Sequence, residues 1–206
     1  GVTFLTAVFQ PGQPSSLRAV FGFNVVILLL LCPAVTMRSI CEERRLGTFE
    51  MLAASPANAA SLVMGKFLGA LAALVTMLIP TLVMVVILES YGRPDLGEIA
   101  AGYLGLVLVG SMYLAGGLLA STIAGSQTIA YLLSIFFFIL VGMARTVLPG
   151  VVGPDAWTVL AHFDPFVRMS DFTIGLIDSS SIIFFVVLTV WFLLTSIVVI
   201  ETERRS

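Results

Sequence analysis

Four long apolar runs organise the chain, and charged residues mark their ends. Nineteen uncharged residues separate Arg18 from Arg38, and 22 separate Lys66 from Glu89. A third run, Ile99–Ala144, extends over 46 residues without a charge, and a fourth, Ser179–Ile200, over 22. A helix needs about 20 apolar residues to cross a bilayer's hydrocarbon core, so the longest run predicts two spans. Gly125-Ser126-Gln127 is the polar break between them. The pattern therefore predicts five spans, near 19–38, 62–88, 99–123, 127–148 and 180–200. Residues 1–9 are too short to cross and read as the end of an earlier span. Barrel strands alternate in polarity over about ten residues, which these continuously apolar runs do not. Helices satisfy their own backbone in lipid. The expected fold is an all-α polytopic membrane protein, with 1–206 as one transmembrane domain.

Composition agrees with that reading. Hydrophobic residues make up 59% of the chain and charged residues 11%, where a soluble domain is about one quarter charged. Mean hydropathy is +1.10. A net charge of −2 and the lack of a basic stripe argue against nucleic acid as a partner. Membrane lipid is the expected surrounding. Two cysteines do not make a disulfide framework, and Cys32 and Cys41 read as reduced thiols.

Lys and Arg placement gives an orientation. Arg38, Arg44, Arg45, Lys66, Arg204 and Arg205 fall on one side by span parity, which is then cytoplasmic. Arg18, Arg93, Arg145 and Arg168 fall on the other, diluted by seven acids. Residues 1–18 are then external, and a cytoplasmic N-terminus requires one more span upstream, six in all.

The cytoplasmic connection, 39–61, follows Arg38 with the cluster Glu42-Glu43-Arg44-Arg45 and then Gly47-Thr48-Phe49-Glu50. Leu46, Phe49, Leu52 and Ala53 recur at helical spacing, with Glu43, Gly47 and Glu50 on the other side, which predicts a short amphipathic helix. Pro56 stops it, because the residue before a proline is pushed out of helical geometry. Such a helix lies at the membrane surface. On composition it is either such a surface helix or a solvated, interfacially anchored loop.

These residues resemble a family. Met37-Arg38-Ser39, Glu42-Glu43-Arg44, Gly47-Thr48-Phe49-Glu50-Met51-Leu52, Ser55-Pro56 and Gly65-Lys66-Phe67 resemble the ABC-2 type permease pattern, most closely its gliding-motility-associated type. Gln127-Thr128-Ile129-Ala130, His162-Phe163, Gly175-Leu176-Ile177-Asp178 and Glu201-Thr202-Glu203-Arg204-Arg205 resemble later segments of that type. Phe49 departs from the usual Leu, and Thr128 from a direct N-Q-I join.

The resemblance implies the transmembrane subunit of an ATP-driven transporter in a bacterial cytoplasmic (inner) membrane. It implies six helices per subunit and pairing with a second permease, identical or paralogous. The amphipathic helix would dock on a separate ABC ATPase subunit, and ATP and Mg would bind there. Glu42, Glu43, Arg44, Arg45, Gly47, Thr48, Phe49, Glu50, Ser55, Pro56, Gly65 and Lys66 would form the coupling site. The chain contains no G-x-x-x-x-G-K-[ST] phosphate loop of its own and binds no expected cofactor or metal. In the external segment, 149–179, the resemblance implies short helices that dip back and close the outer mouth. His162, Phe163, Phe166, Gly175 and Asp178 are the gate residues it suggests. The other reading of that segment is an interfacial cap without a gating role.

Other features stay open on sequence alone. Pro33 and Pro80 are hinges or ordinary kinks. Gly65-x-x-x-Gly69-x-x-x-Ala73 and Gly116-x-x-x-Ala120-x-x-x-Ala124 are small-residue ridges, used within the subunit or across a dimer. Two rival functions are a passive channel or secondary transporter and an ABC-type force-transmitting scaffold. Channels and secondary transporters tend to carry ionisable residues in mid-membrane, and these spans have almost none. An intramembrane protease needs span-embedded aspartates, or a serine with a histidine base on another span. The lone His162 lies outside every predicted span.

Overall fold

The computed structural model describes residues 18–47, 58–91, 95–152 and 165–205. All regular elements among them are helical. They are α1 (Arg18–Thr36), α2 (Cys41–Arg45), α3 (Ala59–Leu78), α4 (Leu82–Tyr91), α5 (Leu96–Ile123), α6 (Gln127–Val152), α7 (Pro165–Thr173) and α8 (Ser179–Arg205). Four helical stretches among the described residues are long and apolar enough to cross a membrane. They contain α1, α3 with α4, α5 and α8. A further apolar helix covers Gln127–Met143 within α6.

Each boundary has a local cause. Asn58, Asp95 and Asp178 cap α3, α5 and α8, accepting from the backbone N–H of Ala60, Gly97 and Ser180 at 3.4, 2.8 and 3.0 Å. A helix start leaves such donors unsatisfied, and Asn or Asp oxygens meet them. Pro80 sits in a 3-10 turn, Ile79–Thr81, that separates α3 from α4. Thr81 stitches this break by donating to the Leu78 carbonyl at 2.6 Å and by sharing a hydrogen bond with the Tyr103 hydroxyl at 2.9 Å. Pro33 stays inside α1.

α5 is the centre of the fold. Its glycines admit side chains from four surrounding helices. A Cβ at Gly102 would overlap the Phe21 ring of α1, and one at Gly117 would overlap Thr36 and crowd Pro33. A Cβ at Gly110 would lie 2.6 Å from Leu74 of α3, and one at Gly116 2.5 Å from Phe138 of α6. At Gly105 it would meet Met169 of α7 at 2.8 Å. The core runs along this axis through Leu106, Val109, Met112, Tyr113, Leu114 and Leu118, all at 1% exposure or less. Between apolar helices in lipid, close approach through small residues replaces the hydrophobic drive. The Gly116 ridge is thus used inside the subunit. On the Gly65 ridge, added Cβ atoms at Gly65 and Gly69 meet nothing within 4 Å.

Candidate functional site

The connection between α1 and α3 begins as a turn at 37–40 and the one-turn helix α2, and most of the amphipathic helix expected from Leu46 to Ala53 lies outside the described residues. The helix ends at Arg45, and Gly47 takes φ +72°, a left-handed conformation that glycine adopts without a Cβ penalty. Thr48, Phe49, Glu50, Ser55 and Pro56 lie outside the described residues. Within α2, Glu42 and Glu43 occupy the first turn and Arg44 and Arg45 the last, which suits the helix dipole.

Three separate helices hold this element through hydrogen bonds and ion pairs, and Ala130 of α6 packs on Cys41. Ser121 of α5 is fully buried, and its hydroxyl accepts from the backbone N–H of Ile40 at 3.2 Å and of Cys41 at 3.3 Å. The same hydroxyl donates to the Met37 carbonyl at 3.1 Å. Cys41 adds a thiol hydrogen bond to the Ser121 carbonyl at 3.2 Å. Lys66 of α3 donates to Glu43 at 2.6 Å and to the Ser39 carbonyl. Arg44 pairs with Glu203, near the C-terminal end of α8, at 2.5 Å.

The predicted coupling residues therefore divide. Glu43, Arg44 and Lys66 face inward and tie the segment to the spans. Glu42, Arg45, Leu46 and Gly47 are exposed at its surface. Gly65 neighbours Lys66 in sequence but faces away, with open space beside it. Ser121 carried no sequence signal beyond being a hydroxyl in an apolar run. Glu203 stood within the E-T-E-R-R run that entered the resemblance, yet only the fold brings it to α2.

At the opposite end, α7 packs against the N-terminal half of α5. Pro165, Met169 and Phe172 are buried, and Met169 and Phe172 meet α5 at Gly105. Gly105 lies nine residues into α5, so the contact sits about 14 Å below that helix's start. Phe166 presses on Gly142 of α6, where a Cβ would lie 2.8 Å from its ring. Beneath Phe166 an apolar groove of about 630 Å³ runs between α1 and α6, past Val26, Leu30, Phe138 and Met143.

The other predicted gate residues have structural parts. Gly175, at φ +78°, closes α7 with the Gly175 N–H on the Phe172 carbonyl at 3.1 Å and the Leu176 N–H on the Asp171 carbonyl at 3.0 Å. This is the paired-bond helix stop that glycine favours. Asp178 caps α8. His162 and Phe163 lie outside the described residues. Arg168, not singled out from sequence, reaches from α7 to the start of α8. Its guanidinium donates to Ser180 at 2.8 Å and stands over the Phe184 ring, 4.7 Å from its centre.

Comparison with known proteins agrees with this architecture. The model of the ABC-2 family transporter protein matches residues 3–201. Two curated relatives, both named "Probable multidrug ABC transporter permease YbhR", come from Escherichia coli strains K12 and O157:H7. Each is 31% identical over 120 residues, a stretch that covers 58% of this chain and 31% of the relative's length. A polytopic helical body, a one-turn helix tied to three spans and a family match over nearly the whole chain lead to one assignment: the chain belongs to the ABC-2 family of transporter proteins, as a multi-pass membrane permease.

Proposed function

We propose that this chain couples ATP hydrolysis on a separate ABC ATPase subunit to movement of its own spans, and so to export of a substrate. ATP and Mg would be held by that partner. A second permease, identical or paralogous, would complete the transporter in a bacterial inner membrane. The gliding-motility-associated type is the subgroup we assign, on the run from Met37 to Phe67 and the terminal E-x-R-R.

The observation that carries the reading is the threefold attachment of α2. A docking element transmits force only if it cannot slide against the spans. Buried hydrogen bonds to Ser121, the Lys66–Glu43 pair and the Arg44–Glu203 pair fix it to α5, α3 and α8. Exposed Glu42, Arg45 and Leu46 remain for a partner. The apolar groove between α1 and α6 suits an apolar or amphiphilic substrate, and Phe166 stands at its outer end as the gate residue.

The test is co-purification of the full-length chain from its native membrane, followed by an ATPase assay. A stoichiometric subunit carrying a phosphate loop is expected. Glu42→Lys with Arg45→Glu should release that subunit, or abolish stimulation of its ATPase, without unfolding the permease. Purification without any ATPase, together with ATP-independent solute flux in proteoliposomes, would favour the channel reading instead.

A further inference from the structure

We infer that α8 is the rod through which α2 and the outer helix α7 move together, with Glu203 and Arg168 as its two positioning residues. The inference rests on the reading that a partner acts on α2. Glu203, at the inner end of α8, holds Arg44 of α2 at 2.5 Å. At the outer end, Ser180 and Ser181 accept from Arg168 of α7 at 2.8 and 3.4 Å, and the Phe184 ring receives its guanidinium. One continuous helix of 27 residues joins these contacts, a span of about 40 Å.

The composition of α8 suits a rod. It contains neither glycine nor proline. Every other long helix carries at least one: Gly22 and Pro33 in α1, Gly65 and Gly69 in α3, five positions from Gly102 to Gly117 in α5, Gly142 in α6. Bends in helices concentrate at such residues. The α8 hydroxyls of Thr189, Thr195, Ser196 and Thr202 are satisfied within the helix, each donating to the carbonyl four residues earlier, at 2.8, 2.8, 2.9 and 2.8 Å. Seated along α5, α8 therefore carries displacement from end to end, whereas α3 is interrupted by the 3-10 turn at Pro80 before it reaches its far end.

The test uses Ser170→Cys, an exposed position on α7, in the full-length chain with whatever subunits co-purify. Native Cys32 and Cys41 are buried. The readout is the rate of labelling by a membrane-impermeant maleimide. Arg44→Glu, which sets two carboxylates against each other at the inner end, should change that rate at least about fivefold, the low end of ordinary coupling between sites. The swapped pair Arg44→Glu with Glu203→Arg should restore it. Val190→Gly, at an exposed position midway along α8, should blunt the Arg44→Glu effect, and Val190→Leu should not. An unchanged rate in Arg44→Glu, or no rescue by the swapped pair, overturns the inference. The same reporter followed with and without ATP separates the two readings. If labelling in the parent protein ignores ATP while the swap series behaves as expected, the ATPase reading fails and the rod stands.

Discussion

Two spans of nearly equal length have opposite fates. In α5, 72% of the most apolar stretch is buried inside the subunit, and in the α3–α4 span only 17%. The less hydropathic of the two is the one buried. In water that order would be reversed. In a bilayer lipid solvates Leu and Val as well as protein does, so burial follows shape instead. α5 presents five glycines whose missing side chains are replaced by Phe21, Thr36, Leu74, Phe138, Met169 and Phe172. α3 presents Gly65 and Gly69 to open space, with Leu68, Val75 and Met77 exposed around them.

The strongest way to break this contrast is to fill an α5 notch. Gly117→Val would drive a side chain into Thr36 and the Pro33 backbone, which cannot step aside like the end of a flexible side chain. The expected loss is about 3 kcal/mol, the upper part of the usual overpacking range. Unfolding in graded detergent mixtures should show it, and a midpoint close to the parent's would mean that α5 is not the packing axis.

A smaller effect should follow from the polar group each span contributes to α2. Ser121→Ala strips the Ile40 and Cys41 amides of their acceptor in a fully buried place. A buried donor left unsatisfied costs about 2 kcal/mol. The Lys66–Glu43 pair is partly exposed, with side chains 17% and 25% accessible. Breaking it with Lys66→Met should cost about 1 kcal/mol or less, and Glu43→Lys with Lys66→Glu should recover most of that. If Lys66→Met proves more damaging than Ser121→Ala, then α3 and not α5 is the main anchor of α2.

The sequence reveals the spans more fully than it reveals the site. The apolar runs place helix ends within a few residues, because a charge or a helix-capping Asp is a local signal. The start of α6 at Gln127 and the end of α5 at Ile123 follow directly from Gly125-Ser126. The amphipathic periodicity of Leu46, Phe49, Leu52 and Ala53 falls, after Gly47, outside the described residues. The partners of α2 were out of reach for a different reason. Ser121 is about 80 residues from Cys41, and Glu203 is 159 from Arg44. No local pattern announces a contact closed by the packing of other helices. Asp178 is singled out in sequence by its resemblance to a gate motif, and the fold adds that its carboxylate caps α8.

The same distinction separates the two small-residue ridges, which look alike in sequence. Gly65-x-x-x-Gly69 and Gly116-x-x-x-Ala120 both invite a close neighbour, and among the described residues the second alone has one. Gly69→Ala should therefore leave the subunit's own stability unchanged or raise it by less than about 1 kcal/mol, the helix-propensity gain of alanine over glycine. The detergent-unfolding midpoint of the isolated subunit measures that directly. A marked loss would mean that a neighbour within the subunit closes on α3. Gly69→Leu sharpens the comparison, because its bulk meets no neighbour among the described residues. If subunit stability holds while cross-linking between permease copies falls, the open ridge faces the second permease. If cross-linking and stability both hold, the ridge faces lipid and its glycines have no packing partner.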